Sequence, residues 1–106
     1  MQDVLVHETA SFQCVSSPDT NIVWLYQKHC GDFDNGLYSC SSQVSVAVGN
    51  QQYETHINAP GEHSLLINSV TKNMTGLYSC ANDESGAVID SVLLNVICEC
   101  NFMFPL

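Results

Sequence analysis

Apolar and polar residues alternate with a period of two along most of the chain, the pattern of strands that bury one face. Val4-Leu5-Val6 predicts an edge strand over 3–8, and Ala10, Phe12 and Cys14 alternate through a strand over 10–16. Ser16-Ser17-Pro18-Asp19-Thr20 is turn chemistry. The run Ile22-Val23-Trp24-Leu25-Tyr26 predicts a strand over 21–28, with Ile22, Trp24 and Tyr26 on one face and Val23, Leu25 and Gln27 on the other. A long polar stretch, 29–43, follows; a connection of that length is usually functional or pinned. Alternation resumes over 43–48 with Val44, Val46 and Val48. A short strand over 53–58, the turn Ala59-Pro60-Gly61 and a strand over 64–70 come next, with Leu65 and Ile67 inward. A loop with Asn73 leads into the strand that ends at Cys80, Asp83-Glu84-Ser85-Gly86 predicts a hairpin turn, and 87–97 forms the last strand with Val92, Leu94 and Val96 inward. No stretch carries a helical period, so the chain reads as all-β.

Cys14, Trp24 and Gly76-Leu77-Tyr78-Ser79-Cys80 carry a further signal. Their order and spacing resemble the immunoglobulin superfamily over roughly residues 3–97. The resemblance implies a two-sheet Greek-key sandwich pinned by an inter-sheet Cys14–Cys80 disulfide, with Trp24 packed on it and Tyr78 just upstream. The Trp24-Leu25-Tyr26-Gln27 run is similar to variable-type domains, whereas Cys80-Ala81-Asn82 through Leu94-Asn95-Val96 is similar to intermediate-type adhesion domains. The last strand lacks the Phe-Gly-X-Gly bulge of rearranged antigen receptors, which disfavours that class.

The family pattern Asp-X-Gly-X-Tyr-X-Cys is broken once: Met74 stands at the Asp position. The customary Arg partner is missing too, since the chain has no Arg, so no charge is orphaned and Met74 is expected to fill the space by apolar contact. Asp34-Asn35-Gly36-Leu37-Tyr38-Ser39-Cys40 repeats the full pattern. Pairing Cys14 with Cys40 would leave no room for the strands a sandwich needs between its third and sixth.

The six cysteines, an even number in a short strand-rich chain, read as a disulfide framework and an oxidising compartment. Cys30 and Cys40 share one loop and are expected to staple it, which contributes about 2–3 kcal/mol in the entropy model. Cys98 and Cys100 lie in a tail or linker over 98–106. A bond between them would close a tight ring, so they are expected to reach Cys30 or Cys40, or a partner chain. Asn73-Met74-Thr75 is an N-glycosylation acceptor and points to the same compartment.

Charge narrows the partners. With 11 acidic residues, two lysines and a net charge of −9, the chain cannot neutralise phosphates, which excludes nucleic acid. Nor does any apolar run approach the ~18 residues of a membrane span, so membrane attachment would use a segment outside this sequence. Met1-Gln2-Asp3 runs straight into a strand; a leader removed upstream and further chain beyond Leu106 are expected.

Candidate chemistry is sparse. A zinc site from His29, Cys30, Cys98 and Cys100 lacks the usual ligand spacing, and Asp32-Phe33-Asp34-Asn35-Gly36 has its Gly too early and no closing Glu for a calcium loop. His7, His29, His56 and His63 sit in no catalytic or metal motif. The sequence therefore predicts no enzyme, no cofactor and no metal. What remains is a surface: Val23, Leu25, Gln27, Leu77, Ser79 and Leu93 are expected to point outward from the Trp24 sheet, extended by Val44, Val46 and Val48 or their alternates. The reading is an extracellular recognition or adhesion domain of a cell-surface receptor, binding another protein, or itself, through that face. The alternatives are a secreted immune-type molecule binding through its loops and, less favoured, an intracellular structural immunoglobulin domain.

Overall fold

The structure is a computed structural model and describes residues 2–28, 44–46 and 51–98. Among the described residues there are eight strands: β1 (Gln2–Leu5), β2 (Ala10–Val15), β3 (Ile22–Lys28), β4 (Val44–Ser45), β5 (Tyr53–Ala59), β6 (Glu62–Ile67), β7 (Gly76–Asn82) and β8 (Val88–Ile97). A 3₁₀ turn, Lys72–Met74, precedes β7. The strands make a five-stranded sheet in the order β1-β8-β7-β3-β4 and a three-stranded sheet in the order β2-β6-β5. The expected all-β two-sheet sandwich is present.

Alternation explains the layers. Phe12 and Cys14 on β2, Leu65 and Ile67 on β6, Trp24 on β3, and Tyr78 and Cys80 on β7 all face the interior. Cys14 and Cys80 are joined across the sheets, S–S 2.04 Å and Cα–Cα 6.5 Å. Trp24 lies directly opposite Cys80 on the neighbouring strand and is only 7 % exposed, so the indole seals the bridge. The Cys14–Cys80 pairing and the Trp24 contact follow the expectation. Cys98 is disulfide-bonded as well; the pairings expected for Cys30, Cys40 and Cys100 lie outside the described residues.

Two departures from the expected strands have local causes. The first strand ends at Leu5 instead of residue 8, because His7 takes a left-handed backbone (φ 73) and donates its N–H to the Val70 carbonyl at 2.8 Å. That turn carries the chain from one sheet to the other. On β4, Leu25 pairs with Ser45 and Tyr26 with Val44. Parity therefore puts Ser45, not Val44 or Val46, on the outer face; Val46 enters the core. Val48 lies outside the described residues.

The turn before β7 is held by apolar packing and by hydrogen bonds to its carbonyls. Met74 is partly buried against the core. Tyr78 donates its hydroxyl to the Met74 carbonyl at 2.8 Å, and the Tyr26 hydroxyl lies 2.9 Å from the Thr75 carbonyl and 3.2 Å from that of Asn73. Gly76 lets this arrangement close: a Cβ there would come within 2.6 Å of both the Gln27 carbonyl oxygen and Tyr26 Cε1.

Candidate functional site

The outer face of the larger sheet is built by three adjacent strands. On β3 the outward residues are Val23, Leu25 and Gln27; opposite them on β7 stand Ala81, Ser79 and Leu77. Leu77 and Ser79 in turn face Leu93 and Ser91 on β8, and Ser45 extends the row beyond Leu25. The register thus brings all six expected residues onto one continuous face.

The face has a floor and a rim. Val23, Leu25, Gln27, Leu77 and Leu93 are half-buried and reach the surface. Ser79, expected at the surface with them, is only 1 % exposed. It carries a short side chain, lies between Leu25 and Ser91 across the strands, and shares a hydrogen bond with the Ser91 hydroxyl at 2.9 Å. Ser79 therefore supports the face from beneath. None of the strand residues on this patch is charged, in a chain of net charge −9. Asp3, on the neighbouring strand β1, accepts a hydrogen bond from the Asn95 amide at 3.2 Å. Uncharged side chains on the face itself leave it little desolvation cost on contact with another protein.

Asn73 is exposed in the 3₁₀ turn, as the acceptor reading requires. Its amide oxygen accepts a hydrogen bond from the Thr71 hydroxyl. The acceptor's threonine, Thr75, takes a hydrogen bond from the Val96 N–H at 3.1 Å, so the triplet is tied into β8.

One pairing of reactive types was not foreseen. Ser16 Oγ lies 3.1 Å from His63 Nε2. The two are far apart in sequence, and only the β2–β6 register, with Cys14 opposite His63, brings them together. The same serine hydroxyl reaches the Ser17 carbonyl at 3.1 Å, and the Ser16 N–H bonds the Gly61 carbonyl at 2.8 Å. Among the described residues no carboxylate bonds His63, so the pair lacks the third group that orients a catalytic base. Its contacts fasten the end of β2 to the β5–β6 turn.

Clefts open between the sheets among the described residues. One, of about 350 Å³, is lined by Phe12, Trp24, Tyr78 and Asp90 among others. Another, of about 340 Å³, lies between Ile22–Trp24 and Thr55–Ile57. Among the described residues no group of three or more His, Cys, Asp or Glu is placed to hold a metal ion. The suggested zinc and calcium groupings fall largely outside the described residues, apart from Cys98, whose sulfur is committed to a disulfide. No helix of the described residues is long and apolar enough to cross a membrane.

No family model matches the chain, and no curated protein matches it in sequence. Solved structures match it in fold. A structure described as the ZIG-8–RIG-5 IG1–IG1 heterodimer aligns over 90 % of this chain and 79 % of its own, at 14 % identity and a TM-score of 0.57. The ZIG-8 IG1 homodimer aligns over 91 % of this chain and 77 % of its own, at 13 % identity and a TM-score of 0.57. A titin fragment aligns over 91 % of this chain and 42 % of its own, at 18 % identity and a TM-score of 0.58. At these identities the likeness establishes the immunoglobulin-like fold and nothing finer.

Proposed function

We propose that this immunoglobulin-like chain is a protein-binding domain that works outside the cell, with residues 3–97 as the domain and 98–106 as a tail or linker. It recognises its partner through the outer face of the β3–β7–β8 sheet. The observation that carries the reading is the face itself: Val23, Leu25, Gln27, Leu77 and Leu93 form one uncharged, half-buried surface on a strongly acidic chain. Large contiguous apolar patches on soluble proteins mark interaction sites more often than chance. That two of the fold neighbours are described as a heterodimer and a homodimer supports a binding role for the fold. The disulfide across the core and the exposed Asn73 acceptor support an oxidising, secretory setting. Binding is preferred here to catalysis because, among the described residues, no carboxylate orients His63 in the Ser16–His63 pair.

The reading is tested by surface-binding measurements of the purified domain against a panel of extracellular ectodomains and against itself. Leu25→Asp is expected to lower affinity for any partner of this face by at least about tenfold. Leu93→Glu should do the same from the opposite side of the patch, with the disulfide intact and thermal unfolding close to the parent's. If every partner found binds both variants as it binds the parent, the face is not the site.

A further inference from the structure

The smaller sheet ends in an exposed edge. β5 pairs only with β6 among the described residues. The Asn68 N–H donates to the Gln52 carbonyl at 2.8 Å, so Gln52 and Asn68 form a hydrogen-bonded pair. Bonded and non-bonded pairs alternate in an antiparallel ladder. Glu54 opposite Leu66 and His56 opposite Ser64 are then bonded as well. The backbone groups of Tyr53, Thr55 and Ile57 consequently point away from β6, toward the open edge. From Glu54 to Asn58 every residue is exposed, and Ile57 is 71 % exposed although it lies on the inner side of its strand. Tyr53–Ala59 has neither Lys nor Pro to protect the edge; its charged residue is Glu54, and a bulge interrupts the strand only after Ile57.

We infer that this edge pairs with the same edge of a second copy, antiparallel and two-fold about Thr55. In that register Thr55 faces its own counterpart, Tyr53 faces Ile57 of the second copy, and Glu54 faces His56 of the second copy. The three contacts belong to the classes that stabilise cross-strand neighbours: Thr–Thr, aromatic with β-branched, and opposite-charge or carboxylate-to-imidazole pairs. Each occurs in symmetric fashion, as an isologous interface requires. The outward backbone groups of Tyr53, Thr55 and Ile57 supply the new ladder. A centre at His56 would instead set imidazole against imidazole and Glu54 against Asn58. A centre at Ile57 would run into the bulge between Ile57 and Ala59. Within one copy His56 Nε2 already lies 3.6 Å from Glu54 Oε1. Ser64 stands beside His56 on β6 and carries no charge, so the second copy's Glu54 adds a carboxylate to the one His56 already has. The paired surface is far smaller than the ~1,200–2,000 Å² of a stable interface, so the dimer is a weak one.

Sedimentation equilibrium of the intact chain, from about 10 µM to about 1 mM, tests this. The parent is expected to dimerise reversibly. His56→Glu, which sets carboxylates opposite one another on both sides of the axis, is expected to raise the dimer Kd about tenfold or more. The double variant Glu54→Lys/His56→Glu restores opposite charges and is expected to recover dimerisation. Ile57→Lys, at a position already exposed in one copy, is expected to abolish it, and Leu25→Asp to leave it unchanged. A parent that stays monomeric at the highest concentration overturns the inference. So does a dimer indifferent to His56→Glu, or a folded double variant that fails to recover. A dimer lost only in Leu25→Asp overturns it too and assigns association to the other sheet.

Discussion

Tyr78 donates its phenol to the backbone carbonyl of Met74, four residues upstream, at 2.8 Å. That bond closes the turn into β7 at the position of Met74, where the immunoglobulin-like sequence pattern would place an Asp. The Tyr78 ring also packs on Phe12 at 5.3 Å and on Tyr26 at 4.8 Å between ring centres. A single side chain thus joins the two sheets and the turn. Removing only its hydroxyl leaves a partly buried carbonyl without its donor. Tyr78→Phe should therefore lower unfolding stability by about 1–3 kcal/mol, measured by urea denaturation.

The tyrosine cluster also predicts an alkaline limit. Burial, and then repulsion from Tyr53 and Tyr26, raises the Tyr78 phenol far above its ordinary 10.0. Burial, then Tyr53, raises Tyr26, and burial raises Tyr53. A group whose folded value is raised holds its proton in the native state after the unfolded chain has lost it. Its contribution is complete below pH 10 and shrinks as pH rises from there toward the folded value. Denaturant midpoints should be flat from pH 8 to pH 10 with respect to these groups and fall above it. Tyr78→Phe should shallow that fall; an unchanged slope would remove Tyr78 as its source.

Replacing Cys14 and Cys80 together by Ala should cost about 2–5 kcal/mol, because the bridge spans much of the chain and lies under Trp24. Equilibrium unfolding of the double variant, followed by Trp24 fluorescence, measures the loss.

Asn73 should carry glycan when the chain is made in a secretory host, read as a mass addition that Asn73→Gln abolishes. Asn73→Gln should leave the fold of the unglycosylated protein unchanged. Thr75→Ala should abolish the glycan and also destabilise by about 1 kcal/mol, since the Val96 N–H loses its acceptor. The two variants separate the acceptor role of the triplet from its structural one.

Gly76→Ala should destabilise by about 1–3 kcal/mol, because the added methyl meets the Gln27 carbonyl and the Tyr26 ring at 2.6 Å. Thermal unfolding is the direct readout. The loss should be smaller in a Tyr26→Ala background, where one of the two obstacles is gone.

The sequence alone determined the strands and their faces. A period of two assigns each residue of Ile22–Lys28 to one side or the other without knowledge of the partner strand, and the resemblance carried by Cys14, Trp24, Tyr78 and Cys80 implied the sandwich and its bridge, which the structure has. Alternation likewise gave the outward set on β3, β7 and β8. It did not give accessibility: Ser79 has the right parity, yet its neighbours and Ser91 cover it. Nor did it give the phase of β4, where equally apolar Val44 and Val46 left both choices open until pairing with Leu25 and Tyr26 turned Ser45 outward. The Ser16–His63 contact and the open edge of β5 were beyond the sequence for the same reason. Local side-chain pattern fixes which way a residue points along its own strand. Register and sheet order, which arise from contacts between distant segments, fix what it meets there.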